Sequence, residues 1–160
     1  MRSAMNEHGL WSWAIQRHDI PNPLAQKFFD RLFTENAFSA LLWARVIALI
    51  SLGFYGANLV NVTFLFVSNL AVLIRWRGAF NGGSDFMTLV VLTGLLIAQW
   101  LTFFDAPELG WRACFWYITI QSMTSYFVSG AVKLLRPEWR NGSAMTIFLN
   151  AAIHGPLQQT

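Results

Sequence analysis

Four apolar stretches, at residues 37–54, 59–74, 86–104 and 111–135, constrain this chain more than any other feature, separated as they are by short polar or glycine-bearing breaks. Each approaches or exceeds the ~20 residues that carry a helix across the hydrocarbon of a bilayer, the first two falling slightly short. Only 12% of the residues are charged and 55% are hydrophobic, against roughly 25% charged in a soluble domain. The expectation is an all-α integral membrane protein with about four transmembrane helices. At 160 residues it forms one membrane domain, residues 37–135, between an N-terminal tail at 1–36 and a C-terminal tail at 136–160.

The N-terminal tail carries its own helix signal. Asn22-Pro23 reads as a capping side chain followed by proline at the first helical position. Leu24, Phe28, Phe29, Leu32 and Phe33 then fall on one face, with Gln26, Lys27, Asp30, Arg31 and Thr34 on the other. That pattern predicts an amphipathic helix in the membrane interface, with Trp11 and Trp13 as headgroup anchors. The first 35 residues lack an uninterrupted apolar core, so no cleavable leader is expected and the first span should direct insertion.

Gly53, Gly56 and Asn58 supply turn chemistry between the first two stretches, which predicts a tight hairpin. One long tilted helix is the alternative, and it would invert everything downstream. Arg45 lies about two turns inside the first span, where a charge is costly and normally faces a partner or a cavity. The third stretch follows a basic, then glycine-rich loop, with Ser84 or Asp85 as helix cap. Gly94 allows a close helix contact there, and Gln99 is its one strongly polar residue. An acidic turn, 105–110, precedes the fourth stretch, which Pro137 stops by removing an N–H and holding Arg136 out of the α region. Residues 138–145 read as a polar tail, and 147–153 as an interfacial piece too short to cross.

Lysine and arginine set the orientation. Nine of them (Arg2, Arg17, Lys27, Arg31, Arg75, Arg77, Lys133, Arg136, Arg140) fall on one side of a four-span arrangement, and Arg112 alone on the other. The positive-inside rule then places both termini in the cytoplasm. The same clustering at segment ends argues against nucleic acid as a partner, since no continuous basic patch forms. A single cysteine excludes an intrachain disulfide, and the three histidines share no metal-ligand spacing.

Within the fourth stretch Ser122, Tyr126, Ser129 and Lys133 recur at steps of four, three and four, which sets them on one helix face. A polar stripe in a span should face protein, cofactor or water. Lys133 at its end could be partly desolvated and act as a base. It could equally snorkel to the headgroups with Arg136 and Arg140. The small hydroxyl residues could line a pocket or let helices pack closely.

The words NGGSDFM (81–87) and YFVSGAVKLLRPEWRNGSAM (126–145) resemble the horizontally transferred transmembrane domain proteins, bacterial relatives of vitamin K-dependent gamma-carboxylase. The matching positions are Asn81, Gly82, Gly83 and Asp85 in the loop, then Tyr126, Ser129, Gly130, Lys133, Trp139 and Gly142. The resemblance concerns the membrane part only and implies a relative that could be truncated. It implies that Lys133 would act as base toward a quinone-like cofactor or other lipid, bound near Ser122, Tyr126, Ser129 and Trp139. Two functions are therefore expected. One is a small accessory or structural subunit that meets membrane lipids and other membrane protein chains. The other is a carboxylase-related protein that acts on a quinone with Lys133.

Overall fold

The structure, a computed structural model, describes residues 13–75 and 83–150. All regular structure among them is helical: α1 (Trp13–Gln16), a 3-10 turn (Arg17–Asp19), α2 (Pro23–Leu32), α3 (Glu35–Tyr55), α4 (Leu59–Arg75), α5 (Gly83–Phe103), α6 (Pro107–Leu135), α7 (Pro137–Arg140) and α8 (Ser143–Asn150). Two of these, α3 and α5, are each 21 residues long and apolar enough to cross a membrane. The 17-residue α4 is shorter, and the 29-residue α6 mixes more polar residues into its apolar run.

The chain divides into two compact units, the first ending at Ile118 and the second beginning at Thr119. In the first unit, α2 starts where Asn22 and Pro23 dictate. The Asn22 backbone is extended, and its Oδ1 accepts from the Leu24 N–H at 2.9 Å. The apolar face beyond it is split. Phe33 is 5% exposed, while Leu24 is 76% exposed. Phe33 is enclosed by rings of Trp13 (4.7 Å between centroids), Phe29 (5.2 Å) and Phe38 (5.8 Å). Trp13 also donates its indole N–H to Asp30 at 2.8 Å, and Arg17 pairs with the same carboxylate at 3.1 Å. Trp13 is thus half-buried, with its ring packed on the aromatic face of α2 and its N–H satisfied. Trp11 lies outside the described residues.

A hairpin joins α3 to α4, as expected. Gly56 takes φ +77°, a value that favours glycine, and its N–H closes the last turn on the Leu52 carbonyl at 3.1 Å. Asn58 then caps α4 by accepting from the Asn61 N–H at 2.9 Å. Gly53, expected in the turn, is instead helical. Along α4, Val62, Leu65, Ser68, Asn69 and Arg75 face inward, and α5 packs along this face. Leu65 joins Ala48 of α3 and Leu92 of α5 in the core cluster.

The elbow between α5 and α6 depends on two glycines. A Cβ on Gly110 would lie 2.7 Å from the Ala98 carbonyl oxygen, and one on Gly94 would lie 2.8 Å from Ile118 Cγ1 and 3.2 Å from Cys114 Sγ. The close contact expected of Gly94 is thus present, and Gly110 supplies a second. Here α6 begins at Pro107, earlier than expected, and absorbs most of the acidic turn. Proline is pre-set for a first helical position, where its missing N–H costs nothing. Asp105 at φ +59° makes the reversal before it.

In the second unit Arg136 adopts the extended backbone (φ −91°, ψ 123°) that Pro137 imposes. The helix stops there, as expected. Residues 138–145, expected as a polar tail, are largely helical: α7 starts on Pro137, Gly142 turns the chain at φ +79°, and α8 runs from Ser143. Proline breaks one helix and begins the next, which explains the difference.

Candidate functional site

The polar stripe lies in the second unit. Tyr126 is 72% exposed, Ser129 and Lys133 are exposed, and Ser122 is half-buried. The continuous helix α6 keeps them on one face. Lys133 Nζ sits 4.9 Å from the centroid of the Trp139 ring, so the bend at Pro137 brings together two residues of the carboxylase-like word. Such a cation–π contact contributes about 0.5–1 kcal/mol at an exposed site. Gly130 faces open space. No other polar side chain of the stripe is held to Lys133 by a hydrogen bond or ion pair among the described residues, so the arrangement offers an accessible ammonium rather than a buried base.

The loop word is seen in part. Asn81 and Gly82 lie outside the described residues. Gly83 is the first residue of α5, so Ser84 and Asp85 occupy its first turn instead of its cap position. Asp85 is half-buried, and its carboxylate there complements the helix dipole.

A second polar group lies inside the α3–α4 hairpin. Arg45, expected to face a partner or cavity, donates from Nη1 to Ser68 Oγ at 3.1 Å and from Nη2 to Asn69 Oδ1 at 3.1 Å. Ser68 and Asn69 are both buried, at 3% and 5% exposure. Ser68 in turn donates to the Leu65 carbonyl at 3.1 Å. Nearer the turn, Asn61 Nδ2 donates to the Ala48 carbonyl at 3.0 Å. Further along α4, buried Arg75 lies 5.9 Å over the Phe38 ring.

Sequence reasoning picked out Arg45 but missed Ser68 and Asn69. A usable signal existed. In a hairpin turning near Ala57, residues 45 and 69 are equally distant from the turn, so a polar residue in an apolar stretch at 69 should face one at 45. The pair is a satisfied contact on one side only. Among the described residues no carboxylate pairs with Arg45, and the Asn69 Nδ2 is buried without a hydrogen-bond partner. Set against protein-family models, curated proteins and solved structures, the chain matches none of them.

Proposed function

We propose that this chain is a small accessory or structural subunit of a larger membrane protein complex, crossing the bacterial inner membrane four times with both termini cytoplasmic. The observation that carries this reading is the exposed polar face of α6. Tyr126, Ser129 and Ser125, one turn before Ser129, are uncovered, within a helix whose other side chains, such as Phe127, Val128 and Val132, are exposed and apolar. Apolar side chains are at home against lipid. Hydroxyls are not, and small hydroxyl residues at helix contacts are how membrane helices approach one another. In this reading α3, α4, α5 and α6 are the four spans, and the partner chain covers the hydroxyl face.

The reading is tested by photo-crosslinking in intact membranes. A photoreactive residue at Ser129 should join the protein to one discrete partner chain, whereas one at Val67, an exposed apolar position of α4, should react mainly with lipid. Reaction with lipid alone at both positions would refute it.

A second reading is favoured by the Lys133–Trp139 contact, which joins two residues of the carboxylase-like word. In it, a quinone-like molecule lies against Tyr126, Ser129 and Trp139, and Lys133 serves as its base. Protein purified in mild detergent should then carry a quinone detectable by mass spectrometry, and Lys133→Ala should lose it. A quinone-free preparation, or an unchanged load in the variant, removes this alternative.

A further inference from the structure

We infer that Arg45, held in place by Ser68 and Asn69, is a recognition site for a carboxylate carried on a membrane helix of a different protein. The inference rests on the subunit reading above and names the chemistry of the partner.

The argument starts from donors and acceptors. A guanidinium has five N–H donors and no acceptor, so Asn69 must turn its carbonyl oxygen toward Arg45. That choice leaves the amide nitrogen pointing away, and it is buried with no acceptor. Ser68 Oγ receives one Arg45 bond and sends its own proton to the Leu65 carbonyl. Every acceptor of this cluster is therefore engaged, while N–H groups of half-buried Arg45 remain. The cluster also carries one uncompensated positive charge. A carboxylate answers that charge, because its two oxygens match the donors of the guanidinium fork.

Position decides where that carboxylate comes from. Arg45 is the eleventh of the 21 residues of α3, about 15 Å along the axis from either end. Lipid phosphates therefore lie out of reach at the bilayer surface. A second copy of this chain offers no match, since none of its eight acidic residues lies in the middle of an apolar stretch. A helix from another protein fits the surface beside the site. Val46 and Leu49, exposed on the flank next to Arg45, continue to Gly53, where a Cβ would meet nothing. A glycine on an open flank lets another helix approach closely.

The test uses the full chain in phosphatidylcholine vesicles with a labelled leucine–alanine transmembrane peptide, association being read by energy transfer. Peptides with Glu, Gln or Leu at the central position are compared. The Glu peptide should bind at least tenfold more tightly than the Leu peptide. That preference should fall below twofold in Arg45→Gln, and equally in Asn69→Asp, which supplies an internal carboxylate and should retain helical content. Arg45→Lys should keep part of the preference. Equal binding of Glu and Leu peptides, or a preference that survives both Arg45→Gln and Asn69→Asp, overturns the proposal. So does displacement of the Glu peptide by equimolar laurate, which would make a free amphiphile the occupant. Arg45-dependent association of the protein with itself would make the occupant a second copy, and also overturns it. The two readings fail separately. A Glu preference without any crosslinked partner at Ser129 leaves the site standing and removes the subunit reading. A crosslinked partner without a Glu preference removes the site alone.

Discussion

The hairpin of α3 and α4 and the second half of α6 treat polar residues in opposite ways. In the hairpin, Arg45, Asn61, Ser68 and Asn69 point between helices and bond to one another or to backbone carbonyls. On α6 beyond Ile118, Tyr126, Ser129 and Lys133 are exposed, and Lys133 leans on Trp139. The difference separates two uses of the same residue types. Polar groups that the chain answers itself specify which helix packs on which, because an unanswered buried donor is costly; in the hairpin the charge of Arg45 and the Nδ2 of Asn69 are the parts left unanswered. Polar groups left uncovered specify nothing within the chain and await something outside it.

The largest effect that tests this contrast comes from paired leucines. Leu65→Ala, at a position 1% exposed, should destabilise the chain by about 2–5 kcal/mol through the cavity it opens. Leu135→Ala, at a position 81% exposed, should stay within about 0.5 kcal/mol. Unfolding by detergent titration, followed by helical circular dichroism, measures both. Similar losses at the two positions would break the contrast.

Glycines give a smaller effect with opposite signs. Gly110→Ala pushes a methyl group against the Ala98 carbonyl oxygen and should cost about 1–3 kcal/mol. Gly130→Ala meets open space in mid-helix and should stabilise by roughly 0.5–1 kcal/mol through helix propensity. The same titration reads both. A loss at Gly130 would mean that its face is already packed within the chain.

The smallest effect sharpens the comparison at Lys133. Replacing Lys133 with Ala removes only the contact with Trp139 and should change stability by about 0.5–1 kcal/mol. A greater loss in the same measurement would place Lys133 in an internal network like that of Arg45.

Local chemistry was readable residue by residue. Asn22 and Pro23 begin α2, Gly56 and Asn58 divide α3 from α4, and Arg136 is extended before Pro137, because each acts on its own backbone. Gly94 was also legible, since a glycine amid bulky apolar residues has few reasons to be there besides close approach. Several features were not. The packing of half-buried Trp13 depends on Phe33 and Asp30, 20 and 17 positions away, which nothing in the local pattern names as its partners. The acidic turn before α6 proved mostly helical because Pro107 can start a helix as well as interrupt one. Residues 138–145 misled for the same reason. The candidate site was half visible: Arg45 was conspicuous, its acceptors were not.

By itself the sequence determined the all-α class and most of the limits of the main helices, because hydrophobic run length and backbone-restricting residues act over a few positions. It also determined that Ser122, Tyr126, Ser129 and Lys133 share a face, since helical periodicity needs no other information. Only the tertiary structure decided which polar residues are answered. Whether Arg45 meets Ser68 and Asn69, and whether Lys133 meets anything besides Trp139, depends on which helix surfaces come together. That is set by shape complementarity among side chains distant in sequence, such as Leu65, Leu92 and Ala48, and by glycines that let one backbone touch another.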